Sequence, residues 1–105
     1  MDDFIIVFVL APNLEESERI AMMLINSGSA PCINIVPSCL SIYQWKGEVH
    51  RDEEVLMIIK SIRDRFHDIC EIVERSHPYD VPEIISIPLG EISTKYSSFL
   101  KGFLA

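Results

Sequence analysis

The chain has 105 residues, 49% of them hydrophobic, and a formal net charge of −7. A length of this order holds one core, so residues 1–105 read as a single domain, and so much apolar sequence on so small a sphere predicts a subunit interface. The acidic balance excludes a nucleic-acid binder, which needs a basic face, and a diffuse negative charge reads as solubility.

The opening MDDFIIVFVLAPN carries acids where a secretory leader carries bases. No apolar run approaches the roughly 20 residues of a membrane span. Phe4–Leu10 is a continuous Ile, Val and Phe run whose length predicts a strand buried on both faces. Asn13 stands three residues before Glu16, a capping-box start. The helix that follows carries Ser17, Ile20, Ala21, Leu24 and Ile25 on one face and stops at Gly28.

From Cys32 to Ser61 the pattern is one long hairpin. Its first arm is CINIVPSCLSIYQW, Lys46-Gly47 supplies the turn, and GEVHRDEEVLMIIKS returns. Pro37 cannot donate to a ladder and marks a bulge or an edge. A typical strand has about 5–6 residues, and each arm has room for roughly twice that. The distal part, with Ile42, Tyr43, Trp45 and Val49, therefore projects beyond a compact sheet, and another subunit is expected to cover it.

Ser61 and Asp64 have N-cap and N3 spacing ahead of an amphipathic helix with Ile62, Phe66, Ile69, Cys70 and Val73 on its apolar side. His77-Pro78 ends that helix. Glu83–Leu89 is a second short strand, and Ser93 caps a last helix with Tyr96, Phe99, Leu100 and Phe103 on one side. The order β-α-β-β-α-β plus a terminal helix predicts an α+β, ferredoxin-like split β-α-β with an antiparallel sheet.

That scaffold serves many roles. An RNA-recognition module needs stacking aromatics on its central strands, and a soft-metal chaperone needs Cys-x-x-Cys after strand 1; neither is present. Three cysteines without Cys-x-x-Cys spacing exclude a disulfide framework and a zinc ribbon, and predict a reducing, cytoplasmic home. With no nucleophile–base pair in view, the expectation is a protein that is not an enzyme. Cys32 reads either as a thiolate ligand or nucleophile, or as a small hydrophobe. Cys70 reads as core.

The stretch SHPYDVPEII concentrates polar groups on a stiff connector, because Pro78 and Pro82 restrict His77 and Val81 as well as themselves. One reading is a rigid turn whose polar groups satisfy backbone amides. The other is a preorganised site in which His77, with Asp80 or Glu83, suits a borderline cation such as Cu(II) or Zn(II).

The segments CINIVP, SIYQWKGEV, EEVLMIIK and HPYDVPEIISIPL resemble, in order and spacing, those of the CutA divalent-cation-tolerance family, over almost the whole chain. The resemblance implies a compact, PII-like homotrimer in which the long hairpins pair between subunits, placing Ile42, Tyr43 and Trp45 at the interface. It also implies tolerance of divalent cations, copper above all, by binding rather than catalysis. Copper(II) or another divalent cation is the implied ligand, with none required, and the metal-ligating candidates are His77, Glu83 and Cys32. Where some copper-associated members have a cysteine on strand 1 and paired histidines before Pro-Tyr, this chain has Val9 and Ser76-His77. A second implied site is a cleft between subunits, in which Trp45 and Tyr79 flank an anionic ligand met by Lys60. The alternative is that Trp45 seals the hairpin and Lys60 pairs with Glu83. The implied partners are two further copies of the chain and divalent cations, with no nucleic acid and no membrane; a downstream partner stays open.

Overall fold

In the computed structural model, which describes residues 3–104, the elements follow as β1 (Phe4–Ala11), α1 (Leu14–Asn26), β2 (Cys32–Trp45), β3 (Glu48–Ile62), α2 (Phe66–Ser76), β4 (Ile84–Pro88) and α3 (Thr94–Leu104). Asp2, one of the two N-terminal acids, lies outside the described residues. The four strands form one antiparallel sheet in the order β2-β3-β1-β4. Strand β3 sits between β1 and β2, so the β-α-β unit is split, as expected for the ferredoxin-like α+β arrangement.

One face of the sheet is packed. Ile5, Val7, Val9 and Ala11 alternate into the core with Met57 and Ile59, under Ile20 and Leu24 of α1 and Ile69 and Val73 of α2. The expected double-sided burial of β1 is not what a single chain shows: Phe4, Ile6, Phe8 and Leu10 are only half-buried on the other face. Facing them in register are Ile62, Lys60, Ile58 and Leu56 of β3, and Ile87 and Ile85 of β4. Helix α3 packs against β3 and buries Leu100 and Leu104, and the rest of this outer face stays open. Of the four residues read on one side of α3, Leu100 is buried while Tyr96, Phe99 and Phe103 remain exposed.

Local chemistry explains the element ends. The Asn13 side chain accepts from the Glu16 amide at 2.8 Å, capping α1. The Glu16 carboxylate does not complete the box; it turns to Arg19 at 2.8 Å. Gly28 closes the helix with φ of 78°, a conformation that L side chains resist. The Arg19 guanidinium also donates to the Ser76 carbonyl at 2.6 Å, tying α1 to the last turn of α2.

Helix α2 departs from its predicted start. Ser61 is the penultimate residue of β3, and its buried hydroxyl donates to the Ser29 carbonyl at 2.6 Å. A 3-10 turn at Arg63–Arg65 leads into the helix without a side-chain cap. A long-range bond takes the hydroxyl that local spacing assigned to capping.

The β2-β3 hairpin matches its predicted arms closely. Strands β1 and β3 pair only from Val55 to Ile62, so β2 and β3 continue beyond the sheet as a two-stranded ribbon. Pro37 and Ser38 lie opposite the single residue Val55 between the pairs Val36–Leu56 and Cys39–Glu54, a bulge in which Ser38 takes φ of 62°. Lys46 (φ 51°) and Gly47 (φ 81°) make the two-residue turn with both central residues left-handed. The ribbon helps stretch the molecule to 45 × 26 × 22 Å.

Candidate functional site

The connector between α2 and β4 lies against the base of the ribbon, and a cleft of about 570 Å³ opens between them. Leu10, Ser41, Ile42, Tyr43, Trp45 and Glu54 line one side, and Tyr79, Asp80, Val81 and Glu83 the other.

His77 anchors the connector from behind. Its Nε2 lies 2.6 Å from the Leu10 carbonyl and its Nδ1 accepts from the Tyr79 backbone amide at 3.1 Å. The amide can only donate, so Nδ1 is the acceptor and Nε2 carries the hydrogen. The ring is buried and packs on the Tyr79 ring with centroids 4.6 Å apart. His77 thus fixes the entry to the connector, and Pro78 and Pro82 hold the rest extended.

Tyr79 reaches across the cleft. Its hydroxyl donates to the Glu54 carboxylate at 2.8 Å, joining connector to ribbon. Burial and the adjacent carboxylate push the phenol well above the ordinary tyrosine range. Glu54 is itself buried, with 6% of its surface exposed. Farther along the ribbon the Tyr43 hydroxyl donates to Asp52 at 2.5 Å, and its ring stacks on His50. The Asp52 carboxylate holds the Tyr43 phenol above its usual range.

Six of the residues singled out from the sequence line the cleft of a single chain: Ile42, Tyr43, Trp45, Tyr79, Asp80 and Glu83. Lys60 does not join them. Register places it opposite Cys32 and Ile6, toward the far end of the sheet, and its ammonium lies 3.9 Å from the Cys32 sulfur. Tyr96 of α3 is hydrogen-bonded to the same sulfur, which with burial raises its phenol to about 12. The Lys60–Glu83 pair is likewise not formed among the described residues.

His77, Glu83 and Cys32 do not converge within one chain. Cys32 is on β2 and Glu83 precedes β4, the two edge strands, roughly 14 Å apart at ordinary strand spacing. Both His77 ring nitrogens are engaged, and the Lys60 ammonium beside Cys32 opposes a cation there. Among the described residues no three His, Cys, Asp or Glu side chains are grouped to hold a metal ion. The donor set of a single chain does not fit a resident metal.

Glu54 is the cleft residue that sequence reasoning missed. It shares the outward parity of Leu56 and Ile58 on β3 and follows Asp52 at that parity, so it stands where the polar ribbon meets the apolar sheet and yet is buried. Nothing in the local pattern set it apart from the exposed Asp52 two positions earlier.

The family described as CutA1 divalent ion tolerance protein matches residues 5–102. The chain is 40% identical over 97 residues to a chloroplastic CutA protein of Arabidopsis thaliana, covering 92% of this chain and 53% of that one. It is 38% identical over 96 residues to a divalent-cation tolerance protein CutA of Thermus thermophilus, covering 91% of this chain and 93% of that one. It thus spans about half the length of the plant relative and nearly all of the bacterial one. The fold superposes on the crystal structure of CutA1 from Oryza sativa with a TM-score of 0.95 at 38% identity, over 99% of this chain and 95% of the other. With one family spanning nearly every residue and the hairpin, connector and sheet order all in place, the chain belongs to the CutA1 divalent ion tolerance protein family.

Proposed function

We propose that this protein acts in tolerance to divalent cations, copper(II) among them, as a cytoplasmic, PII-like homotrimer that works by binding rather than catalysis. The observation that carries the assembly is the uncovered apolar surface. Ile42 is 65% exposed and Val49 74% on a ribbon that has no sheet beneath it, and Ile85, Ile87 and Val36 are exposed on the open sheet face. A two-stranded ribbon is marginal alone in water, and apolar area of this extent marks a subunit contact. The three free cysteines fit a reducing compartment. Because one chain does not gather three metal ligands, an ion would be held by groups that meet between chains.

Calorimetric titration of the metal-free assembled protein with Cu(II) tests this, beside His77→Gln, whose amide can still donate to the Leu10 carbonyl. Saturable binding that survives the substitution is expected, since the imidazole is occupied within the chain. No saturable binding in either protein would remove direct metal binding. Loss in the variant alone would show that the ring leaves Leu10 to take the ion.

A small-molecule sensor is the second reading, favoured by the size of the cleft, which falls in the range of ordinary ligand sites.

A further inference from the structure

Cys32 and Lys60 face each other across β2 and β3, at the end of the sheet away from the ribbon, and neither lines the cleft. The Lys60 ammonium lies 3.9 Å from the Cys32 sulfur, and Tyr96, from the first turn of α3, is hydrogen-bonded to that sulfur. Sulfur attacks an oxidant as the thiolate, and an ammonium and a phenol hydroxyl beside it both stabilise negative charge there. Cys32 and Lys60 are each half-buried, so the pair is held in place and stays open to a molecule as small as a peroxide.

The other two thiols lack this setting. Cys39 stands opposite Glu54, and burial and the Glu74 carboxylate push the Cys70 thiol up. Neither can resolve an oxidised Cys32 as a disulfide within the chain, which needs Cα atoms within about 7 Å. Cys39 is roughly 20 Å farther along β2 at ordinary strand rise. Cys70 is on α2, which packs on the opposite face of the sheet. The nucleophile at hand for that sulfur is the Lys60 amine.

We infer that Cys32 and Lys60 form a redox-modification site, at which a hydroperoxide drives closure of a sulfur–nitrogen cross-link between β2 and β3. The Cys32 thiolate attacks one peroxide oxygen and the O–O bond breaks. With hydrogen peroxide the departing hydroxide takes a proton from the Lys60 ammonium and leaves as water, so Cys32 becomes a sulfenic acid beside a neutral amine. That amine attacks sulfur, the S–O bond breaks, and a second water carries off the hydroxyl and an amine proton. Sulfur is oxidised by two electrons and the peroxide is reduced by two. Sulfenic acids close onto nitrogen as sulfenamides in the same way at backbone amides. The inference stands apart from the metal reading, since no step uses a metal.

The assembled protein is treated with hydrogen peroxide in the presence of a chelator, remaining thiols are blocked with N-ethylmaleimide, and the digest is read by mass spectrometry. The expected product is a linked peptide joining Cys32 to Lys60, lighter by two hydrogens than the sum of its parts and opened by dithiothreitol. It should form before Cys39 or Cys70 is oxidised. Lys60→Arg keeps the positive charge, but its guanidinium stays protonated and cannot close the bond. With dimedone present, this variant should therefore accumulate trapped Cys32 sulfenic acid several-fold above the parent. The parent's linked peptide is a readout that needs no variant, so misfolding of Lys60→Arg leaves the test intact. Cys32 that stays reduced while the other thiols oxidise would overturn the inference. So would Cys32 carried to a sulfinic acid or to a disulfide with a neighbouring chain and never joined to Lys60. Equal trapping in parent and variant would overturn it as well. The chelator keeps copper out of the reaction, so this inference and the metal proposal can each fail alone.

Discussion

Tyr79 and His77 show how a single side chain on the stiff connector is given its task. The Tyr79 phenol is held protonated by burial and by donation to Glu54, so its folded value lies above its unfolded one of about 10. The contribution is fully present below the unfolded value and is lost as pH rises through the folded one. Stability should therefore decline above about pH 10, and Tyr79→Phe should flatten that decline relative to the parent. Urea melts at pH 9 and 11 check this; equal losses in both proteins would show that Tyr79 does not contribute. The sequence made the connector's rigidity legible through Pro78 and Pro82, and it singled out Tyr79, Trp45 and Glu83, which line one cleft of the chain. It could not say what His77 does. Spacing shows an imidazole beside acids, whereas the decisive bond, to the Leu10 carbonyl, runs from the connector back to β1 across 67 positions. The level of Lys60 in the sheet is likewise fixed by pairing with Cys32, and pairing is not a local property.

The β2-β3 hairpin is the element whose chemistry is most local, and it was correspondingly legible: both arms, the Lys46-Gly47 turn and the Pro37 bulge follow from residue types alone. Its turn also shows an unoptimised position. Lys46 holds φ of 51°, where asparagine is tolerated far better. Lys46→Asn should raise stability by about 0.5–1 kcal/mol without altering the sheet. Urea titration measures this, and a destabilised variant would mean that the Lys46 ammonium over the Trp45 ring, 5.9 Å from its centroid, matters more than backbone strain. Helix α2 is the contrasting case. Ser61 and Asp64 have the right spacing for a cap, yet Ser61 belongs to β3 and bonds to Ser29, because the strand runs on to Ile62, one residue past the expected cap. Where a residue has both a local and a long-range partner, spacing registers only the local one.

At the scale of the molecule, the chain displays two faces of different character. One buries the alternating residues of β1 and β3 under α1 and α2; the other leaves Phe8, Leu10, Ile58, Ile85 and Ile87 partly in water beside a ribbon tipped by Trp45. The hydrophobic fraction of the sequence anticipated that excess, and the half-burial of β1 locates it. Parity alone did not show which strand would be one-sided, because a run such as FIIVFVL is apolar at every position. An assembled outer face explains both that run and the length of the ribbon. Sedimentation equilibrium of the full chain across a wide concentration range tests this most directly. The account predicts a single species of about three times the 12.0 kDa chain mass, with Trp45 emission shifted to the blue by burial. A stable 12.0 kDa species with a water-exposed Trp45 would contradict it.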